Sequence, residues 1–448
     1  MNDMFTTPEM AELFTPRAMV AAMLRVEEAL ARTQAKITII DDDTANAIAA
    51  ACRVELYDPD AIFAEGAIAG TPVIPLVRML TERVDEKARG YVHWGATSQD
   101  ILDTAMVLQM RAGIELLVRD LREIAEHAAT LAERHRHTVM AGRTLGQHAA
   151  PITFGLKAAR WLSLTGRQIH SLDAILSSNW PPQRTALPLQ FGGSVGTISA
   201  FAGAGLPIAA DLSSQLGLPM FDVPWHAERD RIATVAATLG VTAGAMSKIA
   251  SDIALLATTE VGELSEGVQP GKGGSSAMPQ KRNPVDAMSA LAAARLAIAL
   301  VPTLMSGLEQ EHERAIGAWQ AEWVAVPHIF RYTAGAVTHV RQALAGLEVH
   351  EDRMRRNLDL AGGTLMAEAL ALALTSRLGR VDAQSVVKGA SERALHDGIT
   401  LQRAALEDTR IGGVLSAQEI AWALDPARHV GNSDEMIDFA LEMFREQS

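Results

Sequence analysis

The sequence has 448 residues, of which 48% are hydrophobic and 21% charged, and its formal net charge is −13. That hydrophobic share excludes a disordered chain, and an acidic balance with no long basic run argues against a nucleic-acid binder, which presents a basic face. Aromatics are only 4% while Ala and Leu abound, which favours helices over a β-sandwich.

The chain opens MNDMFTTPEMAELF, without the basic-then-apolar order of a signal peptide. Thr7 as N-cap, Pro8 at the first helical position and Glu9 in the first turn predict a helix start. Short helical patterns continue to residue 92 and suggest an N-terminal helical domain, 1–92. The single cysteine, Cys52, allows no intrachain disulfide and points to a reducing compartment, the cytoplasm. GAIAGTPVIP (66–75) predicts a loop. Residues 100–139 predict a long helix with Ile101, Ala105, Leu108, Leu117, Leu121 and Ile124 as its apolar stripe. A turn is expected at Ala141 and Gly142, then a helical stretch over 151–178 that NWPPQR (179–184) ends.

The clearest periodicity runs through 229–266, where Ile232, Val235, Leu239, Met246, Ile249, Ile253 and Leu256 recur at three- and four-residue spacing. Thr242 fills the one gap. That predicts a seam of about 35 residues, roughly 50 Å long. Few single domains bury such a helix, and small residues at Ala236, Ala243, Gly244 and Ala250 favour a bundle shared between chains. A Gly/Pro/Ser-rich loop at 267–284 precedes another long helix from about 285, with a kink expected at Pro302. Its apolar stretch 290–305 holds Arg295 and Pro302 and reads as too short and interrupted to cross a bilayer. These long helices suggest a central domain, 93–345, and breaks at 362–363, 379, 412–413 and 426 suggest a C-terminal domain of shorter helices, 346–448.

Chemistry concentrates in GKGGSSAMPQKRNPVDA (271–287). A phosphate loop is rejected: GVQPGKG (267–273) has three residues between its glycines where four are needed, Gly273 stands where Ser or Thr binds magnesium, and a helix precedes it. Lys281, Arg282 and the glycine amides instead form a candidate anion cradle, with Asn283 beside them. Among such donors a serine alkoxide is stabilised, so a serine here can take a proton.

GSSAMPQKRNP (274–284) resembles the signature of the fumarase/aspartase superfamily. The resemblance implies an all-α, three-domain fold with a long central bundle shared in a homotetramer, each active site built from three chains. It makes Ser275 the catalytic base, and Lys281 and Asn283 the residues that bind a substrate carboxylate and stabilise its aci form. VHWGATSQDILDT (92–104) resembles the first signature of that superfamily, whose Thr-Ser pair, here Thr97 and Ser98, binds a carboxylate at a helix start. Without the family, Thr97 or Ser98 reads as an N-cap and Asp100 as a first-turn acid. AGRTLGQHAAPITFG (141–155) resembles the second signature, with Arg143, Thr144 and Gln147 toward substrate. Many members have His directly after that threonine; here Leu145 stands there, and His148 becomes the second catalytic candidate.

LQFGGSVGT (189–197), PWHAERDR (224–231), QEHERAIGAWQAEW (310–323) and MRRNLDLAGG (354–363) resemble a lactonising branch of the superfamily that adds a substrate carboxylate across a double bond. This implies a small polycarboxylate substrate, Arg314 as a further anion contact, and no metal or organic cofactor. Gln280, Leu145 and Thr71 depart from that branch. The rival readings are another lyase or cycloisomerase of the superfamily acting on a related polyanion, such as a sulfonated analogue of the substrate or, for a C–N lyase, a substituted succinate, and a structural protein recruited from the fold. His135 and His137 lie near a helix end, where capping or cationic roles outweigh metal ligation. EHER (311–314) lacks the second His of a zinc-protease helix.

Overall fold

The computed structural model describes residues 2–177, 186–267, 272–274, 278 and 280–447. The expected break at 179–184 and Ser275 lie outside the described residues. Helices dominate. The long ones are α1 (Pro16–Lys36), α2 (Ser98–Arg134), α3 (Phe154–Leu176), α4 (Asp230–Leu256), α5 (Val285–Ser306) and α6 (Ala318–Ala345). Beside the helices are two small antiparallel ribbons, β1 (Val139–Thr144) with β2 (Gln147–Thr153) and β3 (Leu264–Ser265) with β4 (Glu348–Val349). A short helix, α7 (Glu351–Leu358), follows β4.

Contacts divide the chain into two compact units. The first comprises Met1–Leu121, Arg167–Lys248 and Ser289–His339. Thr7 caps the helix Pro8–Leu13 by accepting from the Met10 amide, as its sequence predicts. The expected loop at 66–75 shrinks to three residues, between helices Pro59–Ala69 and Val73–Arg83. Gly70, with φ +82°, reverses the chain there, and Thr71 Oγ1 accepts from the Val73 amide at 3.4 Å. Close helix approach in this unit depends on glycine: a Cβ at Gly240 would stand 2.5 Å from Val301, and one at Gly113 would stand 2.7 Å from Phe330.

The second unit comprises Arg122–Gly166, Ile249–Met288 and Val340–Ser448. Residues 139–153, expected to be a turn leading into a helix, instead form the β1–β2 hairpin. Ala141 and Gly142 are not its turn but the site of a register shift within it. The turn falls at Leu145 and Gly146, both in the left-handed region with φ +51° and +78°. The C-terminal helices pack around their own core, which includes Leu370, Leu374, Val386, Leu401, Ile411 and Ile420.

All eight seam positions of α4 are buried, Thr242 among them. The helix is 27 residues long, about 40 Å at 1.5 Å per residue, and so shorter than its periodicity predicts. It ends because the chain turns back at Gly262, φ +58°, whose amide bonds to the Thr258 carbonyl, while the Glu263 amide bonds to that of Leu256. α5 reaches 22 residues with Pro302 inside it, so length does not exclude a membrane span. Its Ala287, Ala290, Ala293, Ala294 and Ala297 are nevertheless fully buried, as in a packed core helix.

Candidate active site

In the first unit, Thr97 sits immediately before α2 and gives its amide to Asp100 Oδ2 at 3.0 Å. Asp100 does more than an exposed first-turn acid. It has no exposed surface, and it accepts from the amides of Gly192 and Gly193, each at 2.9 Å. His226 Nε2 stands 2.7 Å from its other oxygen. One carboxylate therefore ties the helix start to the 189–197 motif and to His226. Arg314 reaches the same turn, donating to Thr97 Oγ1 at 2.7 Å and to Gln99 Oε1 at 3.2 Å. The Gly95 backbone, φ +82°, lies so close to Phe201 that a Cβ would meet its ring at 2.1 Å.

Beneath this turn lies a buried ion network. Arg229 donates to both oxygens of Asp103, at 2.8 and 3.2 Å, and to both oxygens of Glu322. Trp319 Nε1 donates to Asp103 at 2.8 Å, and the Arg229 guanidinium lies over the Trp225 ring at 4.8 Å. Burial alone would lower the Arg229 pKa, but the two carboxylates outweigh it and hold it above its usual value. Burial pushes the Glu322 carboxyl up against the opposing pull of Arg229. The 224–231 and 310–323 motifs thus supply a framework that supports Thr97 and Arg314.

A pair that the sequence reading missed lies beside them. His93, with φ +59°, holds its Nδ1 2.6 Å from Glu27, whose side chain is 1% exposed. Nothing in the local sequence marks Glu27, which faces inward from the otherwise regular α1.

In the second unit, the hairpin pairs Arg143 with His148 and Thr144 with Gln147. Thr144, Leu145 and Gln147 are exposed at its tip, and His148 is half-buried. Burial, reinforced by the Arg143 charge, lowers the His148 pKa below its usual 6.5 despite the opposing Glu263. Arg143 does not point its terminal nitrogens at solvent. They form a two-pronged pair with Glu263, at 2.7 and 2.9 Å.

The described part of the signature loop is held at its neck. The Asn283 amide donates to the Gly273 carbonyl at 2.9 Å, and Lys272 pairs with Asp286. Gly273 has φ +71°, and a Cβ there would meet the Asn283 carbonyl at 2.9 Å. The first free amides of α5, those of Asp286 and Ala287, are taken by Glu266 at 3.0 and 2.8 Å. Burial raises the Glu266 pKa, and these two amides pull the other way. Lys281 is exposed and Asn283 half-buried. Asn283 lines a cavity of about 210 Å³ together with Ser265, Glu266, Arg282 and His350. His135 contacts Glu351 at 2.9 Å and Thr138 at 3.2 Å, a structural role, with its pKa lowered by burial.

The first unit therefore carries Thr97, Ser98 and Arg314, and the second carries Arg143, Thr144, Gln147, His148, Lys281 and Asn283. Among the described residues no group of three or more His, Cys, Asp or Glu side chains is placed to hold a metal ion.

A family model described as lyase matches residues 4–296, and one described as adenylosuccinate lyase C-terminus matches 363–440. The chain is 42% identical over 440 residues to a 3-carboxy-cis,cis-muconate cycloisomerase of Pseudomonas aeruginosa, covering 98% of this chain and 94% of that one. It is 38% identical over 435 residues to a nitrosuccinate lyase of Streptomyces davaonensis, covering 95% and 90%. The crystal structure of a 3-carboxy-cis,cis-muconate lactonizing enzyme from Pseudomonas putida superposes with a TM-score of 0.93 at 37% identity, covering 99% of this chain and 98% of that one.

Proposed function

The chain belongs to the fumarase/aspartase superfamily of lyases, and from that premise we propose that it cycloisomerises 3-carboxy-cis,cis-muconate to 4-carboxymuconolactone, a step in aromatic catabolism. The observation that carries this reading is the 42% identity to one such cycloisomerase across 98% of the chain. It is reinforced by the unbroken Ser275, Lys281 and Asn283 of the signature, which a recruited structural protein has no need to keep.

In the reaction a substrate carboxylate oxygen forms a C–O bond to one carbon of a double bond. The π pair moves toward the neighbouring carboxylate, giving an enolate-like dianion. A proton then arrives at the carbon between them. No electron acceptor and no covalent enzyme intermediate is required. The largest contribution expected of such a site is preorganised charge and hydrogen bonding at the developing dianion. Lys281 and Asn283 supply it, with Thr97 and Ser98 at the start of α2, where a helix N-terminus favours an anion. Arg314, already bonded to Thr97, holds that threonine and adds positive charge. Thr144 and Gln147 contact substrate from the exposed hairpin tip. Ser275 or His148 delivers the proton.

Each active site is assembled from three chains of a cytoplasmic homotetramer. The exposed apolar side chains Met288, Leu296, Ile298 and Met305 on α5 and Val241 on α4 support a shared bundle, because exposed apolar surface of this kind marks a place for a partner to cover. A stable monomer by light scattering at micromolar concentration would rule this out. The proposed domain organisation of each chain is 1–92, 93–345 and 346–448.

The relationship to a nitrosuccinate lyase, with Leu145 and Gln280 departing from the lactonising pattern, favours one second reading: β-elimination from a substituted succinate. Purified enzyme is offered 3-carboxymuconate, and loss of diene absorbance is followed. Substituted succinates are offered in parallel, and fumarate release is measured. Diene loss is expected; fumarate release alone would replace the first reading with the second.

A further inference from the structure

Glu263 has no exposed surface, and the reaction described above does not use it. Its Oε1 accepts from Arg143 at 2.7 Å and from Asn357 Nδ2 at 2.8 Å, and its Oε2 accepts from Arg143 at 2.9 Å. The main chain is fixed as well: the Glu263 amide donates to the Leu256 carbonyl, and its own carbonyl accepts from the His350 amide at 3.0 Å. Asn357 lies on α7 and also donates to the Val261 carbonyl at 2.9 Å. Glu263 directly precedes β3, at the root of the signature loop, and Arg143 is the cross-strand partner of His148. A two-pronged guanidinium–carboxylate pair fixes a plane as well as a distance. The pair therefore joins the strand facing His148 to the root of the segment that carries Lys281 and Asn283. It also cancels the Arg143 charge, so that this arginine offers little net attraction to a trianion.

We propose that Glu263 is a positioning residue, which holds Arg143 as a charge-neutral brace for the His148 hairpin and is itself held by Asn357. This rests on the functional reading above, in which His148 and the loop act on a polycarboxylate.

Glu263→Gln keeps the shape and removes one negative charge. The expected result is a loss in kcat on the order of 10- to 100-fold, the scale of a small misplacement at a reacting group. KM for 3-carboxymuconate should fall at the same time, because the uncovered Arg143 charge attracts the trianion, and more strongly at low salt. A merely structural role does not lower KM. The paired variant Arg143→Met/Glu263→Met leaves no stranded charge and covers the case in which the single variant fails to fold. It should lose kcat on the same order while KM stays within about twofold, since a neutral pair contributed little net charge. If Arg143 instead grips substrate directly, the paired variant raises KM about tenfold or more with kcat retained, and the inference is overturned. Variants that match an active wild type overturn it alone. A wild type inert toward 3-carboxymuconate removes the functional reading instead. In that event the ¹⁵N shifts of the His148 imidazole decide: they should move on Glu263→Gln, and unchanged shifts overturn the brace.

Discussion

The turn at Thr97 and the hairpin–loop region both carry dense polar side chains, and they use them in opposite ways. Around Thr97 the charges face inward: Asp100, Asp103, Arg229 and Glu322 are all essentially buried and bonded to one another or to backbone amides. In the hairpin and loop several of the residues expected to meet substrate lie toward the surface: Thr144, Gln147 and Lys281 are exposed, and the turn residue Leu145 fully so. The buried set fixes where Thr97 and Arg314 sit. The exposed set is what a substrate, or a neighbouring chain, is left to meet. Substitutions in the two regions should therefore separate stability from turnover.

The largest effect is expected from Arg229→Met. It strands Asp103 and Glu322 without their cation in a dry interior, and breaking a buried pair in this way costs about 3–5 kcal/mol. Soluble yield and thermal unfolding should both fall sharply. A variant that melts like wild type would mean that the network is not what holds this region.

Ser275→Ala should do the reverse. Stability stays near wild type, while kcat falls on the order of 100- to 1000-fold, the scale seen for a group acting mainly in the transition state. KM should hardly change. Retained kcat would move the proton to His148. Lys281→Ala comes next, lowering kcat and raising KM together, since an ammonium at the surface of the loop meets the ground-state carboxylate as well as the dianion. Steady-state kinetics separates the two variants, and an unaltered KM for Lys281→Ala would remove it from the binding set.

The same contrast explains what the sequence made legible. The α4 seam was readable because its apolar residues repeat at helical spacing and every one of them is buried. The signature residues were readable because motif and order survive without structure. The hairpin was not. Its turn is Leu145–Gly146 in place of the usual Asn-Gly, and the Gly142 that reads as a turn sits in a register shift. The buried network was hidden for another reason. Asp, Glu and Arg in a helical pattern read as a solvated face, and only the fold shows that Arg229 and Asp103, 126 residues apart, neutralise each other. The end of α4 at Leu256 was likewise invisible, because a glycine turn and two backbone bonds stop it while apolar residues continue.

The smallest expected effect sharpens the comparison most, because each region holds a histidine shifted by its surroundings, His93 and His148, and these two are tuned in opposite directions. For His93, burial disfavours the charged ring, but the adjacent Glu27 carboxylate, helped by Asp100, outweighs it and raises the pKa above 6.5. For His148, burial lowers it, with Arg143 adding to that and its partner Glu263 opposing. The linkage signs follow. The folded state favours the proton on His93 more than the unfolded state does. Its contribution to stability is complete below pH 6.5 and lost as pH rises through the raised folded value. The folded state disfavours the proton on His148, so its contribution is complete above pH 6.5 and lost as pH falls through the depressed value. Imidazole titrations followed by NMR should place the His93 midpoint above 6.5 and the His148 midpoint below it. His93→Gln should remove part of the stability lost on the alkaline side of 6.5, and His148→Gln part of that lost on the acid side. Midpoints in the reverse order would mean that the Glu27 contact does not hold in solution, and that the buried and surface-facing regions are not electrostatically distinct.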